Sequence, residues 1–204
     1  MAKNPKGFFI TIDGIDGAGS STQTKLLVGR LKEMGYESVL TKEPNPEGRI
    51  ERVIRSFLKE KILVPELDAL LFAADRIHHV ECFIKPWLEA GKIVVSDRYL
   101  ESSIAYQSSQ GLSEEWIITI NKGAIQPDLT IILDIDPEIS LRRKRELLER
   151  FERVDFLKKV RSKFIERAQK MNYKVVDASK QLEQVHEEIL DLVLKTIKGC
   201  PDNQ

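Results

Sequence analysis

The sequence predicts an α/β fold: a doubly wound, five-stranded parallel sheet flanked by helices. Three observations predict it. Short apolar runs of strand length alternate with amphipathic helical stretches, the runs are apolar on consecutive residues as strands buried on both faces are, and the first run leads straight into a glycine-rich turn that opens a helix. At 204 residues the chain suits one domain, 1–204, with room for a real core.

Phe8-Phe9-Ile10-Thr11-Ile12-Asp13 reads as the first strand, and G-I-D-G-A-G-S-S-T, Gly14 to Thr22, follows at once. The helix after it runs from Ser21 to Met34 by the spacing of Leu26, Leu27 and Leu31, with Gly35 as its stop. Ser38–Thr41 is the second strand, and a helix over about Gly48–Lys59 gathers Ile50, Val53, Ile54 and Phe57 on one face. A long helical pattern spans Glu66–Ala90; Pro86 should end or kink it, because proline lacks the amide hydrogen and crowds the preceding turn. Gly91 closes that stretch. Ile93–Ser96, Leu129–Asp134 and Tyr173–Val176 complete the five strands, each followed by a helical segment. Ligands of such sheets bind beyond the carboxyl ends of the strands, where Asp13-Gly14, Glu43-Pro44, Asp97-Arg98 and Asp134-Ile135-Asp136 fall.

The turn after the first strand follows the phosphate-gripping pattern G-x-x-x-x-G-K-[ST] in Gly14, Gly19 and Ser21 but puts Ser20 where the lysine belongs. A glycine-rich helix cap is the plainer reading of an isolated match. The strand before it and the helix after it favour phosphate binding, with Gly14, Asp16, Gly17, Ala18, Gly19, Ser20, Ser21 and Thr22 as the nucleotide-binding residues. Ser21 and the strand-end carboxylate of Asp97 are the expected Mg²⁺ supports, although Asp97 can equally cap the helix that follows. A lysine about 4 Å from a phosphate oxygen contributes on the order of 4 kcal/mol at an effective dielectric of 20, so its loss calls for another cation. Lys25 leans away along the helix surface. The basic stretch 142–153 can instead fold over bound phosphates as a lid, with Arg142, Arg145 and Arg150 as catalytic cations; its i,i+4 charge pairs also fit a solvated helix.

Lys+Arg and Asp+Glu balance at 32 each, so no net field draws the chain to nucleic acid or to an anionic membrane. No apolar run approaches the roughly 20 residues that span a bilayer, and a cytoplasmic protein is expected. Cys82 and Cys200 read as free thiols without metal-ligand spacing, and His78, His79 and His186 as exposed or capping residues. The tail from Gly199 to Gln204 is expected to be disordered.

Taken in order, G-I-D-G-A-G-S-S-T-Q, T-K-E-P, L-L-F-A-A-D-R, V-V-S-D-R-Y-L-E-S-S-I-A-Y-Q, L-D-I-D-P and R-F-E-R-V-D-F-L-K-K-V-R resemble the thymidylate kinases, P-loop nucleoside monophosphate kinases, over nearly the whole chain. The resemblance implies ATP and Mg²⁺ on the donor side and transfer of the γ-phosphoryl group to dTMP. It implies that Asp16 holds the sugar 3′-hydroxyl and that Arg98 pairs with the acceptor phosphate. Phe72 would stack on the thymine while Arg76 reaches its edge oxygen. Ser102, Ser103 and Gln107 would line the base pocket, and Tyr106 would crowd C2′. Glu43-Pro44 resembles the family's turn past the acceptor, where the proline is often cis. It also implies a homodimer through apolar helix faces, for which Leu70, Leu71, Val80 and Phe83 are available, although burial within the monomer explains these residues equally well.

Two departures bear on mechanism. Gly17 stands where some members carry an arginine, which together with Ser20 concentrates the missing positive charge on the lid. Asn45-Pro46-Glu47-Gly48-Arg49 is longer than the family's turn, leaving open which of Arg49, Arg52 and Arg55 meets the acceptor phosphate. Two alternatives stay open at this level: a nucleotide-binding protein with weak or lost catalysis, and a kinase for another monophosphate such as dUMP.

Overall fold

The computed structural model describes residues 7–60, 63–143 and 153–199. Segment 144–152, with Arg145 and Arg150, lies outside the described residues, as do Cys200 and the rest of the tail. Five strands form one sheet in the order β2-β3-β1-β4-β5: β1 Phe8–Gly14, β2 Ser38–Lys42, β3 Ile93–Asp97, β4 Leu129–Asp134 and β5 Lys174–Asp177. Every pairing is parallel, so each connection must cross over, and helices supply the crossovers. The predicted doubly wound sheet is therefore what forms. β1 lies at its centre with all seven residues buried, which explains the unbroken apolar run of its sequence.

The helices are α1 Ser20–Glu33, α2 Ile50–Leu58, α3 Pro65–His79, α4 Lys85–Glu89, α5 Leu100–Ser109, α6 Glu114–Ile120, α7 Pro137–Arg143, α8 Val154–Met171 and α9 Leu182–Gly199. On one face of the sheet Phe8, Ile10 and Ile12 pack with Leu27, Val28 and Leu31 of α1 and with Val185, Ile189 and Val193 of α9. On the other, Phe9 and Val94 meet Val80, Ile84 and Tyr99. Full burial of one such leucine contributes about 2 kcal/mol, so the two clusters are the main source of stability.

Three sequence expectations shift. The inward face of α1 is Ser20, Thr24, Leu27, Val28 and Leu31, and Leu26 is exposed. Thr24 Oγ1 donates to Ser20 O at 2.9 Å, so a polar residue occupies the inner face and counting apolar residues alone misjudges the rotation. In α2 the buried pair is Ile54 and Leu58, while Val53 is exposed. The long third helix does not end at Pro86: it widens before it into a π-helical turn, Val80–Ile84, and continues to Glu89. Pro86 cannot donate to the carbonyl four residues back and its ring crowds that oxygen; a widened turn makes the room. Among the described residues no helix is long and apolar enough to cross a membrane.

Candidate active site

β1 ends at Gly14, and the chain must reverse within five residues to start α1 at Ser20. Gly17 and Gly19 make that possible at φ +81° and +98°, a region that side-chain-bearing residues rarely adopt. Gly17 is doubly constrained, because a Cβ there would stand 2.3 Å from the carbonyl oxygen of Ser140 in α7. Ala18 N–H donates to Ile15 O at 3.1 Å and Thr22 N–H to Gly19 O at 3.1 Å, closing the curl. No acidic residue occupies the first turn of α1, so its N-terminal partial charge is left for an anion. Residues 16–23 border a cavity of about 820 Å³.

β3 carries Asp97 to the same edge, and Ser21 Oγ donates a hydrogen bond to Asp97 Oδ2. The other carboxylate oxygen, Oδ1, is buried and has no hydrogen-bond partner among the described residues. A hydroxyl in contact with a carboxylate whose second oxygen is orphaned is a donor set that fits Mg²⁺, a hard cation that prefers oxygen.

Arg98, next in the chain, has φ +71°, unusual for a residue with a side chain. Its Nη1 donates to Gly14 O at 2.9 Å and Ser102 Oγ at 3.0 Å, and its Nη2 to Asp16 Oδ1 at 2.7 Å. The guanidinium lies over the Tyr106 ring, 5.5 Å from its centroid. Tyr106 Oη in turn accepts the Asp16 N–H at 2.9 Å. One cluster thus joins the loop (Asp16), the end of β3 (Arg98) and α5 (Ser102, Tyr106). Beneath it Asp13 Oδ1 accepts from Tyr99 N–H at 3.1 Å, Ser102 N–H at 3.1 Å and Ser102 Oγ at 2.6 Å, capping α5. Burial pushes the Asp13 carboxyl up to about 6, against the opposing pull of those donors and of Arg98.

The opposite wall is a buried polar network. Arg76 is 1% exposed, yet it borders the cavity. Its Nε donates to Glu43 Oε2 at 2.8 Å, and its Nη2 to Ser103 Oγ at 2.9 Å and Tyr99 O at 3.2 Å. Nη1 donates to Asn121 Oδ1 at 2.5 Å. Glu43 Oε1 faces His79 Nδ1 at 3.2 Å, while His79 Nε2 contacts Thr41 Oγ1 at 2.7 Å. His79 is fully buried inside this network, not exposed or capping as its sequence context suggests. His78 is exposed, as expected, and His186 is half-buried. The Glu43–Pro44 bond is cis.

The structure gathers all ten expected substrate residues around one cavity: Asp16, Glu43, Pro44, Phe72, Arg76, Arg98, Ser102, Ser103, Tyr106 and Gln107. Arg142 does not border it, whereas its neighbour Arg143 does and donates from Nη1 to Ala178 O at 3.0 Å. Of the three arginines after the cis turn, Arg55 faces the cavity, paired with Glu51 at 2.8 Å, and Arg49 and Arg52 are exposed. Lys25 is exposed and away from it. Sequence reading placed Asp13 at the ligand edge without giving it a role, and missed the parts played by His79 and Asn121. For His79 a signal exists: it sits three residues after Arg76 on one face of α3.

A family model described as thymidylate kinase matches residues 12–189 of this chain. A protein of Thermococcus kodakarensis is 43% identical over 203 residues, spanning 94% of this chain and 98% of the relative. One of Pyrobaculum aerophilum is 43% identical over 193 residues, covering 93% and 98%, and one of Pyrococcus abyssi 40% over 204 residues, covering 95% and 99%. All three carry the name "Probable thymidylate kinase".

Proposed function

The chain belongs to the thymidylate kinase family, and on that premise we propose that it transfers the γ-phosphoryl group of ATP to the 5′-phosphate of dTMP, giving dTDP and ADP. An oxygen of the acceptor phosphate forms the new bond to the γ-phosphorus. The bond from that phosphorus to the β,γ-bridging oxygen breaks, and its electron pair leaves with ADP. A phosphate oxygen is already a nucleophile at neutral pH, so the protein's task is positioning and charge stabilisation.

The loop amides of Gly17, Gly19, Ser20 and Ser21, which the curl does not use, would cradle the donor phosphates at the start of α1. Ser21 and Asp97 would hold Mg²⁺, which neutralises charge on the donor phosphates. Arg98 presents a planar fork to the acceptor phosphate, steadied by Asp16 and the Tyr106 ring. Phe72 and Arg76, four apart on α3, offer a ring for the base to stack on and a donor for its edge oxygen. Asp16 takes the sugar hydroxyl. Arg145 and Arg150 are proposed lid cations, with Arg142 at the lid's root. The cytoplasm is the proposed compartment and a homodimer the proposed assembly; Leu70 and Ile77 of α3 and Ile118 of α6 are exposed for it, while Val80 belongs to the core.

One observation carries the reading: Arg98 bonds Gly14 and Asp16 of the donor loop and also Ser102 of the acceptor wall, so the loop and the base pocket open on the same cavity. An ADP-release assay across dTMP, dUMP and the other nucleoside monophosphates tests it. dTMP should be the best acceptor by kcat/KM. A better second acceptor would move the substrate assignment, and nucleotide binding without turnover would reduce the protein to a binder.

A further inference from the structure

Ser20 leaves the donor phosphates without the ammonium that the loop pattern normally supplies, and its own side chain is buried. Six cationic side chains border the cavity among the described residues: Lys42, Arg55, Arg76, Arg98, Arg143 and Lys180. Five are engaged. Arg55 pairs with Glu51, Arg76 with Glu43, Arg98 with Asp16 and Lys180 with Glu188, and Arg143 donates to Ala178 O. Lys42 alone makes no hydrogen bond or ion pair among the described residues, although it is half-buried.

Its position is set by the sheet. Lys42 is the last residue of β2 and pairs with Asp97 in the parallel register β2–β3, as Ser38 pairs with Ile93. Paired residues of parallel strands project to the same face. On this face Ser38 Oγ donates to Val28 O of α1 at 3.2 Å, and Asp97 meets Ser21 at the start of α1. Lys42 therefore projects toward the N-terminus of α1, one strand spacing of about 4.8 Å beyond Asp97. A flexible four-carbon stem with an uncommitted ammonium at that place can reach an anion seated on the loop.

We propose that Lys42 supplies, from the neighbouring strand, the positive charge toward the ATP β- and γ-phosphates that Ser20 no longer supplies from the loop. The inference rests on the kinase reading. It adds a donor-side catalytic cation carried on the edge strand of the sheet.

The test compares wild type, Lys42→Met, Lys42→Arg and Lys42→Met/Ser20→Lys. Steady-state rates are measured with ATP and dTMP, and the affinities of β,γ-imido-ATP with Mg²⁺ and of AMP by calorimetry. Lys42→Met should lower kcat/KM for ATP by about 100-fold, the size of effect expected for losing one donor to a developing anionic charge. It should weaken the imido analogue about tenfold while AMP affinity stays within twofold; this ratio separates a lost charge from a damaged fold. Lys42→Arg should keep most of the activity, and Ser20→Lys should recover at least tenfold in the Lys42→Met background. Wild-type rates and analogue affinity in Lys42→Met would overturn the proposal, as would parallel loss of AMP and analogue binding. Should wild type make no dTDP, the kinase reading fails, and the analogue-to-AMP ratio still decides the role of Lys42.

Discussion

The two walls of the cavity are built on opposite plans. On the donor side the backbone does most of the work: a glycine-bent loop, the amides of a helix start, and a hydroxyl against one carboxylate. On the acceptor side Thr41, His79, Glu43, Arg76, Asn121 and Ser103 hold one another in a buried chain of polar contacts. The wall proposed for the acceptor is organised in advance, and its cation, Arg76, is tied down by Glu43, Asn121 and Ser103. On the proposed donor wall, Asp97 Oδ1 and the Lys42 side chain have no partner among the described residues. The difference teaches where each wall is fragile: the acceptor wall in folding, the donor wall in rate.

The severest test of that contrast is Glu43→Ala. It strips Arg76 of its buried counter-ion and His79 of one of its two partners, and breaking a buried ion pair costs about 3–5 kcal/mol. Denaturant melts should show a loss of this size, and a change below about 1 kcal/mol would mean the network is not what holds the wall. Next comes Arg98→Ala at the seam, expected to cut kcat/KM for dTMP by about 1000-fold with a smaller loss of stability than Glu43→Ala. Equal damage from Arg98→Ala and Ser20→Ala would erase the assigned roles.

Asp13, beneath the seam, sharpens the comparison through pH. Its carboxyl is held near 6 rather than its ordinary 3.8 because burial disfavours the charged form. A raised carboxyl gives a stabilising contribution that is complete below about 4 and lost as pH rises through about 6. Asp13→Asn has no such titration, so from pH 4 to pH 7 its unfolding free energy should gain on wild type by up to about 3 kcal/mol. A difference that stays flat over that window would show that the carboxylate is as comfortable charged as neutral. The smallest effect belongs to Ser20→Ala, expected to change kcat and KM less than twofold, because the hydroxyl that meets Asp97 is that of Ser21.

The donor wall was legible in the sequence because its parts are local. The apolar run Phe8–Asp13, the glycines and the strand-end Asp97 follow one another in readable order. The acceptor wall was legible only through its resemblance to known kinases. Its contacts join residues far apart in the chain, Glu43 to His79 and Arg76 to Asn121, and no periodicity announces them. His79 was misplaced for the same reason that α1 was misrotated: a polar residue is read as solvent-facing until a partner is seen, and both His79 and Thr24 have theirs inside.

Gly17 carries a wider consequence. With the Ser140 carbonyl pressed against its open side, that corner of the loop has no vacancy, so an arginine introduced there would have to push α7 outward first. A loop-borne arginine at this position would therefore require the backbone at Ser140 to move as well. A protein engineer moving between the two catalytic schemes should redesign the α7 backbone before touching the glycine.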